Sequence, residues 1–276
     1  MIVKNEAARL GACLASAEGA VDEIVVVDTG STDPTIDLAK AAGAHVSTFD
    51  FGRPDFAGAR NQSIERARGA WILVLDGDEI LTPAAPAVVR ALTGREERVG
   101  YVVQRRNVRP GAADPLVDYA VRLFPNRPGI RYRGRVHETI DGAILACGGS
   151  LRTSAVTIDH LLPREDGRSV EKSLFYLRIL DEELAEDPDN VERLAFRRAE
   201  LHKLGRLDEA ADVAERIAVL APEDASNHVD VGLYRLVHRR DAAGAERAFR
   251  RAIAIDPRNE RALGHLRAMS TFTPTN

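Results

Sequence analysis

Two aspartates set two positions apart, Asp76 and Asp78, close the apolar run Trp71-Ile-Leu-Val-Leu75, with Gly77 between them and Glu79 after. Such a run reads as a buried strand, and ligands of parallel sheets bind beyond the carboxyl ends of their strands, where both aspartates would emerge. Paired carboxylates suit a hard divalent cation such as Mg²⁺ or Mn²⁺. These ions take oxygen ligands, usually one or two carboxylates, and fill their other positions with water and substrate phosphates. The same residues also make an ordinary turn after a strand, so the surrounding sequence must discriminate between the two readings.

That surrounding sequence carries further groups of the same kind. Lys4-Asn5-Glu6 follows the first apolar strand, Met1-Ile-Val, and Asp28 follows Glu23-Ile-Val-Val-Val. Strand ends of one sheet lie together, so Asp28 is expected near Asp76. Arg60, within Ala57-Gly-Ala-Arg60-Asn61, opens a helix just before the Trp71 strand and places a guanidinium to pair with a diphosphate or with an acidic partner. Asn5 either lines the same crevice or caps the helix that follows it.

The elements that must position these groups change along the chain. Up to about Pro163, short β-rich runs alternate with Ala-rich helical stretches, which argues a parallel α/β sheet. Ser31-Thr-Asp33-Pro34 and Thr82-Pro83 each offer an N-cap followed by a proline in the first helical turn. Residues 99 to 160 give shorter alternating runs, Tyr101-Val-Val-Gln-Arg and Ala120-Val-Arg-Leu-Phe124, that look like antiparallel strands. From about residue 168 the pattern is helical. Pro188, Pro222 and Pro257 fall 34 and 35 positions apart, and Leu201 and Ala210 recur 35 positions later as Leu236 and Ala245. That is tetratricopeptide periodicity, with Arg197, Arg198 and Gly232 departing from a consensus first helix and about two repeats present, fewer than the three usually needed for independent stability. A 276-residue chain accommodates two such domains, divided as 1–165 and 166–276.

Composition excludes several function classes. A net charge of −4 does not recommend nucleic acid as a partner. Cys13 and Cys147 lack metal-ligand spacing and cannot form a disulfide framework, and no apolar run is long enough to span a membrane. A cytoplasmic location is the expectation.

Taken in order, Ile2-Val-Lys-Asn-Glu6, Val27-Asp28-Thr-Gly-Ser-Thr-Asp33, Ala59-Arg60-Asn61 and Leu75-Asp76-Gly-Asp78-Glu79 resemble a family 2 glycosyltransferase of GT-A fold, of the bacterial type that carries tetratricopeptide repeats after the catalytic domain. The resemblance implies a Rossmann-like mixed α/β sheet with flanking helices, followed by an all-α repeat region. It implies that Asp28 reads the nucleotide base, that Asp76 and Gly77 lie near the ribose, that Asp76 and Asp78 reach the metal, and that Arg60 touches the nucleotide alongside Lys4, Asn5 and Glu6. Tyr132-Arg-Gly-Arg-Val-His137-Glu138 resembles a further segment of the family. From it His137 is expected to complete the metal site or orient the leaving group, and Glu138 to serve as general base. His160 resembles a late family histidine, but Leu161-Leu162 replaces the usual continuation, so packing and metal binding stay open for it.

The expected activity is transfer of a sugar, with inversion, from a nucleotide-diphosphate donor to an acceptor hydroxyl, using Mg²⁺ or Mn²⁺ and a UDP-sugar by preference. A glycan or polypeptide acceptor, and a protein partner or second copy held by the repeats, are the expected partners. A nucleotidyltransferase shares the architecture, but a Gly-rich loop after the first strand is absent; a noncatalytic repeat scaffold is the other alternative. The first strand is short for its place in the sheet, so either the native start lies upstream of Met1 or the fold tolerates the loss.

Overall fold

A computed structural model describes residues 1–94, 98–111, 114–162 and 169–271. The chain forms two compact units, Met1–Asp166 and Gly167–Asn276; the boundary expected after residue 165 lies outside the described residues.

The first unit is mixed α/β. Strands β1 (Ile2–Val3), β2 (Val25–Asp28) and β3 (His45–Thr48) form a parallel sheet, joined by helices α1 (Ala7–Ser16) and α2 (Thr35–Ala41). Helix α1 buries Leu10, Cys13 and Leu14, one stripe at helical spacing, against this sheet's Val3 and Val26 and the neighbouring core. Asp33 caps both helices. Its carboxylate accepts from Thr35 N at 3.0 Å in the first turn of α2 and from Ala7 N at 3.2 Å in that of α1.

Helix α3 (Phe56–Arg66) leads to β4 (Trp71–Leu73), β5 (Glu79–Leu81), α4 (Ala85–Thr93), β6 (Val99–Val108), β7 (Leu116–Pro125), α5 (Asp141–Ala146) and β8 (Ser150–Leu161). A second sheet runs β4-β7-β6-β8-β5. The expected parallel strand from Trp71 to Asp76 is corrected here: β4 ends at Leu73 and pairs antiparallel with β7, Trp71 opposite Pro125 and Leu73 opposite Leu123. Only β6 and β8 run parallel in this sheet. The chain turns because Glu79 N donates to Asp76 O at 3.0 Å, which redirects it into β5. The Thr82-Pro83 start is also corrected, since α4 begins at Ala85 with a proline in its first turn and no side-chain cap. Leu81, Val103, Leu123, Val156 and Ile158 fill the core of this sheet.

In the second unit, helices α6 (Ser169–Glu186), α7 (Val191–Lys203), α8 (Leu207–Leu220), α9 (Ala225–Leu233), α10 (Ala242–Ile255) and α11 (Glu260–Thr271) follow one another, with a π-helical turn at Tyr234–His238 after α9. Asn190 and Asp224, 34 positions apart, both cap helices, accepting from Arg193 N and Ser226 N at 3.1 and 2.8 Å. The departures from the repeat consensus have partners. Arg197 pairs with Asp181 at 2.6 Å and Arg198 with Asp230. A Cβ on Gly232 would stand 2.4 Å from the fully buried Phe249 ring, so the small residue lets α9 approach α10.

Gly232→Ala therefore pits a helix-propensity gain of about 1 kcal/mol against overpacking of about 1–3 kcal/mol. A net loss of stability is expected in urea titrations followed by circular dichroism; unchanged or increased stability would contradict the packing.

Candidate active site

Asp28 ends β2 almost wholly buried, at 2% exposure. Its Oδ2 accepts from the backbone N–H groups of Gly30 and Ser31 at 2.9 and 3.0 Å. Oδ1 is buried and has no hydrogen-bond partner among the described residues. Asn5 does not cap α1. With a left-handed backbone (φ 56°) it donates from N to Ser31 Oγ at 2.9 Å and accepts from Thr32 N at 2.8 Å, lacing the loop after β1 to the loop after β2. Lys4 beside it is exposed, and Glu6 pairs with Arg9 at 2.9 Å. Burial raises the Glu6 pKa, an effect that Arg9 offsets only in part.

The turn from β4 to β5 abuts this loop. A Cβ on Gly77 would lie 2.8 Å from Glu6 Cγ, which gives the glycine a packing role. Asp76 sits between two guanidiniums: Oδ1 meets Arg60 Nη2 at 2.9 Å and Oδ2 meets Arg122 Nη2 at 3.0 Å. Burial alone would raise its pKa, but Arg60 and Arg122 hold it far below the ordinary carboxylate range. Arg122, projecting from β7, also donates to Glu79 Oε1 at 2.8 Å, and Glu79 Oε2 accepts from Asp76 N at 2.9 Å. Glu79 is fully buried, and burial pushes its pKa up despite Arg122. Cys13 Sγ donates to Asp76 O at 3.3 Å from beneath, with burial pushing the thiol up to about 12, so it stays protonated.

Arg60, 8% exposed on α3, completes the group. Asp55 caps that helix by accepting from Gly58 N at 2.7 Å. Arg60 Nε donates to Glu138 Oε1 at 2.6 Å, its guanidinium lies 5.6 Å from the centre of the Tyr132 ring, and its Nη1 is buried with no partner among the described residues.

Asp78 stands apart from this cluster. Its Oδ2 lies 3.5 Å from His160 Nε2 and 3.8 Å from Arg9 Nη1. The pairing follows from strand register, because β5 sets Glu79 opposite His160 and Leu161 N donates to Asp78 O at 2.9 Å. His137 occupies a left-handed turn (φ 51°) next to Glu138.

Of the two aspartates expected to bind metal, Asp76 has both oxygens accepting from guanidiniums. Among the described residues no group of three or more His, Cys, Asp and Glu is arranged to hold an ion. Asp78 and His160 do offer one oxygen and one nitrogen, which fits an ion completed by water and substrate phosphates. Sequence reasoning missed Arg122 and Glu79. The available signal was a charge embedded in the apolar strand Ala120-Val-Arg-Leu-Phe124, since a buried charge requires an acidic partner. A cavity of about 650 Å³ runs beside β4, lined by Val25, Trp71 and Leu73 and by none of these carboxylates.

Residues 1–152, more than half of the sequence, match the model for glycosyl transferase family 2. The chain belongs to that family. A TPR repeat-containing protein of Synechococcus elongatus is 43% identical over 148 residues, covering 53% of this chain and 36% of its own length. The prophage-derived glycosyltransferase SunS of Bacillus subtilis is 25% identical over 224 residues, covering 78% of this chain and 51% of its own. The chain thus spans about half or less of these relatives. TarS 1–349 of S. aureus aligns with a TM-score of 0.52 at 13% identity over 94% of this chain and 91% of its own, a likeness of fold.

Two outcomes test the buried cluster, with the single tryptophan, Trp71, as fluorescence reporter. Arg122→Met leaves Asp76 to Arg60 alone and Glu79 to the longer contact from Arg105, and is expected to cost about 3 kcal/mol in urea titrations; a loss below about 1 kcal/mol would contradict the clamp. The depressed Asp76 pKa means that its stabilisation is present above the unfolded value of about 3.9 and is lost as pH falls below it. Asp76→Asn should therefore differ from wild type most at pH 7, the gap narrowing below about pH 4.

Proposed function

We propose that this chain is an inverting glycosyltransferase that uses a divalent cation, Mg²⁺ or Mn²⁺, to move a sugar from a nucleoside-diphosphate donor to an acceptor hydroxyl. The observation that carries the reading is Asp28 Oδ1, a buried acceptor without a partner among the described residues. Such an atom costs about 1–3 kcal/mol unless a ligand donates to it, and the imide N–H of uracil is a donor of the right kind. A UDP-sugar is therefore the favoured donor.

In this reading Asp78 and His160 hold the cation, His160 taking the place expected for His137. The ion, when bound, supplies charge neutralisation for the departing diphosphate. Arg60 offers the donor its Nη1, which has no partner among the described residues, while Asp76 fixes its plane. Glu138 remains the candidate base: Arg60 engages Oε1, and Oε2 is the oxygen left to take the acceptor's proton. The helical unit is proposed to hold a polypeptide acceptor, consistent with the concave binding surfaces of such repeats.

Isothermal titration with UDP and Mn²⁺, together with hydrolysis of UDP-sugars, tests the reading. Asp28→Ala should weaken UDP binding by about 10-fold, the equivalent of one unsatisfied buried group. Asp78→Ala should abolish the Mn²⁺ dependence of binding and turnover. UDP affinity that is indifferent to both substitutions would refute the proposal.

A further inference from the structure

Resting on the metal reading above, we propose that Asn107 is a positioning residue that fixes the tautomer of His160 and leaves Nε2 bare toward Asp78 for a divalent cation. Asn107 lies on β6 between two partners, opposite His160 of β8 and Leu116 of β7. Its side chain uses both ends. Nδ2 donates to Asp118 Oδ2 at 2.9 Å and to Leu116 O at 3.2 Å, while Oδ1 stands 2.8 Å from His160 Nδ1.

The orientation of this amide is forced by chemistry. A carboxylate and a carbonyl can only accept, so the NH₂ end must face Asp118 and Leu116, and a flipped amide would set oxygen against oxygen at both contacts. Oδ1 then faces His160 and can only accept. The hydrogen of a neutral imidazole must then sit on Nδ1, which leaves Nε2 without one at 3.5 Å from Asp78 Oδ2, two acceptors that a cation would join. A ring nitrogen with its hydrogen held on the far side is the state a metal requires, and such outer partners commonly fix a ligating histidine.

Asp118 is itself held. Arg105 donates to both of its oxygens, at 2.8 and 2.9 Å, and reaches Glu79 Oε1 at 3.4 Å. Burial works to raise the Asp118 pKa, but the hydrogen bonds from Arg105 and Asn107 keep it below its ordinary value, an acceptor at neutral pH. A continuous polar chain thus runs from Asp76 through Arg122, Glu79, Arg105, Asp118 and Asn107 to His160 and Asp78. The two ends of the Asp76-Gly-Asp78 turn are tied together through the sheet beneath it.

Long-range ¹H–¹⁵N NMR of the histidine rings reads the tautomer, and electron paramagnetic resonance titration of Mn²⁺ reads the affinity without turnover. Recorded at a pH where the ring is neutral, the metal-free wild type should show His160 as the Nδ1–H form. Asn107→Leu should lose that signature and bind Mn²⁺ about 10–100-fold more weakly. An Nε2–H form in the wild type overturns the proposal without any variant, and so does unchanged Mn²⁺ affinity in a folded Asn107→Leu. A wild type that shows Nδ1–H yet binds no Mn²⁺ would refute the metal reading, and with it the cation half of this proposal, while the tautomer assignment stands.

Discussion

A guanidinium buried between two carboxylates is tolerable only when the groups around it are hydrogen-bonded, and this condition on Arg122 shapes the turn that carries Asp76 and Asp78. Arg122 is 6% exposed and meets Asp76 at 3.0 Å and Glu79 at 2.8 Å. Glu79 returns the constraint by accepting from the Asp76 backbone, so the turn is closed by its own side chain as well as by its own backbone. Desolvating such groups costs several kcal/mol per ion, which only close pairing offsets. The turn therefore has little freedom to rearrange.

That rigidity divides the work between the two aspartates. Asp76 spends its charge on Arg60 and Arg122 and so orients the guanidinium whose Nη1 has no partner among the described residues. Asp78, one residue past the glycine, escapes the cluster and meets His160 because β5 and β8 share a register that sets Glu79 opposite His160. A shift of one residue in that register would turn His160 to the other face of the sheet. The antiparallel pairing and the polar cluster thus support each other.

The strand end at Asp28, the helix that carries Arg60, and the 34- to 35-residue repeat were legible because each depends on local sequence. What was not legible depends on distant partners. The run Trp71 to Leu75 looks like a parallel strand, yet its pairing partner is β7, some 50 positions later, and that pairing is antiparallel. Asp76 reads as a free carboxylate until Arg122 is brought beside it by the same pairing. His160 was ambiguous since nothing near it in sequence reveals that Asp78 faces it across β5 and β8. In the helical unit, Gly232 departed from the repeat consensus for a reason that appears only when Phe249 lies against it.

The central claim is that Asp78 with His160, rather than Asp76, faces the cation, while Asp76 serves the buried arginines. Anomalous diffraction from crystals of the protein soaked with Mn²⁺ and UDP tests this most directly. The account predicts a manganese peak at about 2.0–2.2 Å from Asp78 and His160, with Asp76 still bonded to Arg60 and Arg122. A peak coordinated by Asp76, with either guanidinium displaced, would contradict it.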